Sequence, residues 1–189
     1  TGRNIGTRLW LADYYSTNDK GAVMEFEDLA EQCCDGGHGI KRLGVLRADV
    51  DNLGAAFIGG FIRYGKEEPE KYATLSRYAD LSRDLGMFFK LAVGKLCRGE
   101  LNGFDNINQQ QFSLYGLQKP VQRKVHVVYS GGDDMFIVGA WDELIELAVD
   151  IRRAFTRFTN GKLSFSAGLA MFSHGYPISK MAEITGMLE

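Results

Sequence analysis

Residues 125–140, VHVVYSGGDDMFIVGA, place two apolar runs on either side of a Gly-Gly-Asp-Asp turn. β-Branched and aromatic residues dominate both runs, which predicts a buried β-hairpin. Gly131 and Gly132 suit its tip, because glycine allows the positive φ of a tight turn. Asp133 and Asp134 then lie at the end of a buried strand, where they repel each other unless a cation lies between them. The tip is either a solvated turn, where aspartate is common, or part of a divalent-metal site.

A second acidic strand end occurs in residues 43–54, LGVLRADVDNLG. Alternation along a strand places Asp49 and Asp51 on one side and Val50 on the other. The segment is either an ordinary strand-to-helix joint, with Asp51 or Asn52 as the helix cap, or a second group of metal ligands. Two-metal sites share carboxylates and act on phosphorus. The two acidic segments therefore favour a metal site if they lie side by side in one sheet.

The elements predicted from residue 43 onward alternate as strand, helix, strand, strand, helix, strand. This order is the split βαβ, an α+β ferredoxin-like (βαββαβ) fold, which we expect to carry its helices on one face of the sheet. In that topology the first strand is adjacent to a hairpin strand, so Asp49 and Asp133 come within metal-sharing distance. The predicted bounds are residues 43–50 and 163–171 for the first and last strands, and 74 or 76 to about 97, 142–159 and 179–187 for the helices.

Composition narrows the function classes. The formal net charge is −2, which does not favour a general nucleic-acid binder. No apolar run approaches the roughly 20 residues of a membrane span, and no secretory leader is recognisable. Cys33, Cys34 and Cys97 have no metal-binding spacing, which fits a reduced, cytoplasmic setting. Because the chain begins with Thr1, we expect it to be an excised fragment.

Two motifs, DVDNLG at residues 49–54 and YSGGDD at residues 129–134, resemble the palm polymerase/cyclase domain of the large subunit of type III CRISPR–Cas effector complexes. The type III-A (Csm) version is the most similar. The resemblance covers residues 43–184. GGDEF diguanylate cyclases are more distant, because Asp134 stands where they carry Glu, and Met135 replaces their next acidic or aromatic residue.

The resemblance implies an activity and a set of site residues. Proteins like this one bind ATP with two Mg²⁺ or Mn²⁺ ions and make 3′–5′ cyclic oligoadenylates for antiviral defence. It implies Asp49, Asp133 and Asp134 as catalytic residues and, with the Val50 carbonyl, as metal ligands, while Asp51 is either a further ligand or structural. The implied nucleotide contacts are Val50, Asn52, Leu53, Gly54, Ser130, Gly131 and Gly132.

The resemblance also implies a domain organisation. We predict an N-terminal extension over residues 1–42, a strand (8–15) plus a short helix (25–34) that can extend the palm sheet. The GGDD palm domain is expected over residues 43–187, with a flexible polar loop at about 99–120. The implied partners are the other Csm subunits with guide RNA and target RNA, and the second palm domain of the same subunit, without a membrane.

Two alternatives stay open at this point. The chain can be a GGDEF-like diguanylate or mononucleotide cyclase, or a catalytically silent palm that serves as a scaffold for guide RNA and partner subunits. None of His38, His126 and His174 is followed by Asp, so we do not expect the HD nuclease site of the family's large subunit in this chain. An isolated palm is expected to bind ATP with metal but to synthesise little or nothing.

Overall fold

A computed structural model describes residues 12–34, 39–100, 111–116 and 121–189. Its centre is a four-stranded antiparallel sheet with helices on both faces. The elements are α1 (Phe26–Glu31), β1 (Leu43–Val50), α2 (Leu53–Gly59), α3 (Leu75–Met87), a π-helical segment (Phe88–Ala92), α4 (Val93–Cys97), β2 (Val125–Gly131), β3 (Asp134–Ala140), α5 (Trp141–Phe158), β4 (Phe165–Phe172) and α6 (Ile178–Gly186).

The strands lie in the order β2-β3-β1-β4, and each neighbouring pair is antiparallel. This is the order of the split βαβ arrangement, so the predicted α+β ferredoxin-like fold is confirmed. β1 and β3 are central and adjacent. The end of β1 therefore lies beside the tip of the β2–β3 hairpin, as the site prediction requires.

One face of the sheet packs against α3, the π-helical segment, α4 and α5. Leu46, Ala48 and Val50 of β1 point to this face and are buried with Phe88 and Phe155. Apolar side chains recur at helical spacing in α5, which buries one stripe here. α3 contributes the buried Leu85 and the partly buried Leu81.

The other face is also covered, by α1 and α6, which precede and follow the βαββαβ arrangement. Leu43 and Val45 of β1 and Val138 of β3 are buried on this side against Leu29 of α1 and Met181 of α6. The continuous apolar runs in β1 and β3 are the physical reason, because a strand with two apolar faces must bury both.

The described part of residues 1–42 touches the sheet at its β2 edge. The Ser16 N–H donates to the Val125 carbonyl at 3.1 Å, and the Val127 N–H donates to the Tyr14 carbonyl at 2.9 Å. Residues 8–11, half of the strand predicted at residues 8–15, lie outside the described residues, as do positions 101–110 and 117–120 of the predicted loop. The division into an extension and a palm domain stays a prediction.

The helix predicted from about 74 to 97 is interrupted. Its middle, Phe88–Ala92, is π-helical, and α3 and α4 continue on either side. π-Helical turns leave backbone groups without the usual partner; here the Ser130 hydroxyl donates to the Phe89 carbonyl at 2.7 Å. Within the part of the chain that the structure describes, no helix is both long and apolar enough to cross a membrane.

Candidate functional site

The hairpin tip is a two-residue turn. Gly131 and Asp134 form the last pair of the β2–β3 ladder, so only Gly132 and Asp133 lie in the turn. Gly132 has φ of 70°, whereas Gly131 has no positive φ and ends its strand. The prediction that both glycines serve the turn through positive φ is therefore wrong for Gly131.

Asp49 lies directly opposite Asp134 in the β1–β3 register. The Val50 N–H donates to the Asp133 carbonyl at 3.1 Å, so Asp49 and Asp134 form a pair without mutual backbone hydrogen bonds. In such pairs the Cα atoms come closest, at about 4.5 Å. The structure thus brings Asp134, rather than Asp133, into register with Asp49.

Asp133 still contributes to the same electrostatic site. Burial raises the pKa of Asp49 above its usual value, and the negative charges of Asp133 and then Asp134 raise it further. Arg47 acts in the opposite direction on Asp49, but its Nε pairs with Glu189 at 3.1 Å. Three carboxylates are therefore gathered at the ends of two strands with little positive charge to compensate them.

The donor set fits a divalent cation. Among the residues that the structure describes, no three Asp, Glu, His or Cys side chains converge into a complete metal site. Mg²⁺ does not require one, since it binds through one or two carboxylates together with waters and substrate phosphates. Asp49 with Asp134 supplies such a pair, and Asp133 adds charge beside it. The metal assignment to Asp49, Val50, Asp133 and Asp134 stays a prediction.

Asp51 is engaged by β4. Its two carboxylate oxygens accept hydrogen bonds from the hydroxyls of Ser164 and Ser166, the second at 2.6 Å. These bonds are the main reason why the pKa of Asp51 is lowered. Of the two roles left open for Asp51, the contacts favour the structural one, in which it joins the end of β1 to the start of β4.

Three predicted nucleotide contacts form the turn from β1 into α2. Asn52 adopts the left-handed conformation, with φ of 52° and ψ of 30°, and precedes the seven-residue α2. Leu53 packs against the core below the turn. Gly54 has ordinary φ, and a Cβ there would meet nothing within 4 Å, so its backbone is open to solvent.

Ser130 points away from the carboxylates. Its side chain is buried, and its hydroxyl is bonded to the Phe89 carbonyl of the π-helical segment. The hydroxyl is therefore directed away from a nucleotide at the carboxylates, and the predicted nucleotide contact of Ser130 stays a prediction. Ser130 instead fixes the hairpin onto the helix beneath it.

Tyr129 belongs to the site, although the sequence reasoning gave it no role. Its hydroxyl donates a hydrogen bond to Asp134 Oδ1 and lies 3.2 Å from the Gly131 carbonyl oxygen. The bond to Asp134, with partial burial, raises the pKa of Tyr129 to about 12. The phenol is therefore a protonated donor at neutral pH. Its place within the YSGGDD motif was the signal available in the sequence.

A cavity of about 780 Å³ opens beside the end of β1. It lies between α2, α3, the end of α5 and the segment before β4. Asp51 and Asn52 line it together with aromatic and aliphatic side chains, among them Phe61, Leu81 and Phe158, whereas Asp49, Asp133 and Asp134 do not. Its size and mixed lining are typical of pockets for small organic ligands.

Comparison with known families gives a match over most of the chain. The family model described as Cas10/Cmr2, second palm domain, matches residues 42–189. This range contains both acidic strand ends and the whole sheet.

Curated relatives are similar along the entire chain. It is 42% identical over 193 residues to a protein of Enterococcus italicus and 43% identical over 189 residues to one of Mycobacterium tuberculosis, and both alignments cover 100% of the chain. Both relatives are named CRISPR system single-strand-specific deoxyribonuclease Cas10/Csm1, subtype III-A. The chain spans only about a fifth of their length, 21% and 20%.

Solved structures agree with this match. A Csm1–Csm4 cassette in complex with AMPPNP aligns with a TM-score of 0.77 at 37% identity, over 96% of this chain and 23% of that one. The cassettes in complex with one ATP and with cA4 align with TM-scores of 0.76 and 0.75, each at 37% identity over 95% of this chain and 22% of that chain.

Proposed function

The chain belongs to the family of Cas10/Cmr2 second palm domains, and from that premise we propose that it is the ATP-binding, cyclic oligoadenylate-synthesising palm of a type III-A CRISPR effector. The observation that carries the proposal is the like-charged pair of Asp49 and Asp134 at adjacent strand ends, with Asp133 beside them. A fold gains nothing from such repulsion, so the arrangement favours a cation that binds with the substrate.

The reaction proposed is nucleotidyl transfer. The 3′-oxygen of one adenosine bonds to the α-phosphorus of the next ATP, the bond from that phosphorus to the bridging oxygen breaks, and pyrophosphate leaves while the hydroxyl proton is released. Bound divalent cations would lower the pKa of the attacking hydroxyl and would neutralise negative charge on the leaving group. Asp49 and Asp134 would hold the cations, and Asp133 would add negative charge at the hairpin tip.

The cavity and the turn from β1 into α2 provide the proposed binding site of the nucleotide. The apolar walls of the 780 Å³ cavity suit a purine, and its lining includes Asp51 and Asn52, which follow Asp49 in the sequence. We place the nucleoside there and the phosphates near the backbone of Asn52, Leu53 and Gly54. The choice of adenine is supported by the relatives with bound ATP and cA4.

The proposal for the complete protein follows its relatives. Csm4 accompanies Csm1 in the similar structures, which supports assembly with Csm subunits. As further partners we propose guide RNA, target RNA and the other palm domain of the same subunit. The deoxyribonuclease activity is a property named for relatives about five times longer, and we assign no part of it to the carboxylate site.

Calorimetry with ATP and Mn²⁺ tests the metal site. We expect the chain to bind ATP only when Mn²⁺ is present, and we expect the double variant Asp133→Ala, Asp134→Ala to lose this binding by at least about 100-fold. The variant Asp19→Ala is a matched control, because Asp19 lies in an exposed turn away from the sheet. Equal ATP binding by the double variant and the wild type would refute the carboxylate assignment.

Product analysis separates the proposed function from its alternatives. The complete effector complex should convert ATP, with Mg²⁺ and target RNA, into cyclic oligoadenylates detectable by mass spectrometry. GTP turnover into a single cyclic product would identify a diguanylate or mononucleotide cyclase. Stable assembly with the other subunits, together with no metal-dependent ATP binding, would identify a silent scaffold.

A single methyl group tests whether a nucleotide packs against the hairpin. A Cβ on Gly131 would meet only Cε and Cγ of Lys90, at 3.5 and 3.9 Å, which is ordinary contact with a flexible side chain. We therefore expect Gly131→Ala to unfold at the wild-type temperature but to bind ATP about tenfold more weakly, because the methyl group would occupy the approach path.

Gly132→Ala provides the contrast. Its φ of 70° strains any residue with a Cβ, and we expect a loss of about 1–2 kcal/mol of stability. If Gly131→Ala binds ATP as the wild type does, the nucleotide does not lie against this part of the hairpin.

A further inference from the structure

We propose that Tyr129 is a positioning residue, which holds the Asp134 carboxylate in the orientation that binds metal. This inference rests on the function proposed above. It concerns a side chain outside the carboxylate set, on the edge strand of the hairpin, and it follows from a local irregularity of that strand.

A β-bulge brings Tyr129 to the site. Val127 pairs with Ile137, but Tyr129 already pairs with Phe136, so Val128 is the extra residue. In a regular strand Tyr129 would share the face of Val127, which points into the core. The bulge turns Tyr129 to the opposite face, the one that carries Asp134.

The geometry makes Tyr129 a partner of one aspartate only. Its hydroxyl donates to Asp134 Oδ1, which leaves Oδ2 of the same carboxylate free for a cation. Among the described residues, the Asp133 carboxylate receives no side-chain hydrogen bond, although it is adjacent in sequence. The two aspartates of the motif are thus unequal, because only Asp134 is oriented by a side-chain hydrogen bond.

The hydrogen bond also lowers the cost of the like-charged pair. The donated proton withdraws negative charge from the Asp134 carboxylate, which lies opposite Asp49 in the β1–β3 register. The Tyr129 hydroxyl therefore offsets part of the repulsion between Asp134 and Asp49. Partners that orient a ligating carboxylate typically change metal affinity or activity by about 10–100-fold when they are removed.

The fold has little need of the Tyr129 hydroxyl. The side chain is 49% exposed, and the hydroxyl bonds to groups at the hairpin tip rather than to the core. Loss of the hydroxyl is expected to leave the unfolding temperature unchanged, so an effect on activity can be separated from an effect on stability.

The experiment compares Tyr129→Phe with the wild type in the complete effector complex, and Tyr64→Phe is the control because Tyr64 is 80% exposed. We expect Tyr129→Phe to lower kcat for oligoadenylate synthesis by about 10-fold with little change in KM for ATP. The Mn²⁺ concentration for half-maximal activity should rise, and excess Mn²⁺ should restore part of the rate. A merely structural role would not respond to Mn²⁺.

Unchanged kcat and unchanged Mn²⁺ dependence in Tyr129→Phe would overturn the positioning role while leaving the proposed function intact. If the wild-type complex makes no oligoadenylate, the proposed function fails instead. Mn²⁺-dependent ATP binding measured by calorimetry then decides the role of Tyr129. Weaker binding by the variant supports it, and equal binding overturns it.

Discussion

Replacing Asp134 by asparagine is expected to lower ATP turnover by the effector complex about 100-fold or more and, at the same time, to make the metal-free domain more stable. Asparagine keeps the shape of the side chain and an oxygen that can accept the Tyr129 hydrogen bond. It removes the negative charge that a divalent cation requires. A charge-stabilising group aimed at the reacting centre is typically worth 10²–10³ in rate, roughly.

The gain in stability has the same origin as the loss of activity. Asp134 lies opposite Asp49, and like charges directly across two strands cost about 0.2–1 kcal/mol. Relief of that repulsion should raise the unfolding temperature by about 1–4 °C for a domain of this size. Thermal unfolding in EDTA measures this effect, and Asp19→Asn, which changes an exposed turn, should leave the temperature unchanged.

The gain should also depend on pH. Because the pKa of Asp49 is raised in the folded state, the stability that its protonation contributes is fully present below the ordinary aspartate value of about 3.9 and is lost as the pH rises through the raised folded pKa. The advantage of Asp134→Asn should therefore be largest at pH 7 and shrink towards pH 4.5. Unchanged turnover, or a less stable variant at pH 7, would contradict the site.

The sequence predicted the sheet well because its elements are strongly periodic. β1 has the predicted bounds, and α5 and α6 begin and end within one residue of theirs. Each of these segments buries one or two faces completely, so the spacing of its apolar residues fixes both its type and its length. The two acidic strand ends could be placed together for the same reason, since the order of elements leaves one sheet topology.

The features of the fold and the site that could not be predicted depend on contacts between single residues that are far apart in the sequence. Alternation places Tyr129 on the core face, and only the bulge at Val128 moves it next to Asp134. Nothing in the spacing of α3 and α4 indicates a π-helical turn at Phe88–Ala92, which accompanies the bond from Ser130. Arg123, to which the sequence reasoning gave no role, is completely buried.

Replacing this buried arginine is expected to have the largest effect on stability. Arg123→Met should lose about 3–5 kcal/mol, because removal of one partner leaves buried charges without compensation. Arg123 donates to Glu146, to Asp150 at 3.0 Å and to the Phe112 carbonyl at 2.6 Å. The unfolding temperature should fall by about 6–20 °C.

The same cluster holds the described part of the predicted flexible loop. Glu146 accepts hydrogen bonds from the Ser113 hydroxyl at 3.1 Å and the Leu114 N–H at 2.6 Å, and Asp150 accepts one from the Phe112 N–H at 2.9 Å. Residues 111–114 are therefore fixed to α5 through carboxylates that Arg123 neutralises. Hydrogen exchange at the Phe112 and Leu114 amides should become faster in Arg123→Met.

Neutralising the partners separates charge from packing. If uncompensated charge causes the loss of stability, the triple variant Arg123→Met, Glu146→Gln, Asp150→Asn should be more stable than Arg123→Met alone.

The loss should also depend on pH. Burial raises the pKa of Asp150 and of Glu143, although Arg123 lowers both. Without Arg123 the pKa values of Asp150 and Glu143 rise further. Stability is lost as the pH rises through these raised pKa values, so Arg123→Met should lose more stability at pH 7 than at pH 5.

Arg83→Ala is the control. It removes an exposed arginine from α3 and should change stability by less than about 0.5 kcal/mol. If Arg123→Met loses as little stability as Arg83→Ala, the cluster does not stabilise the fold.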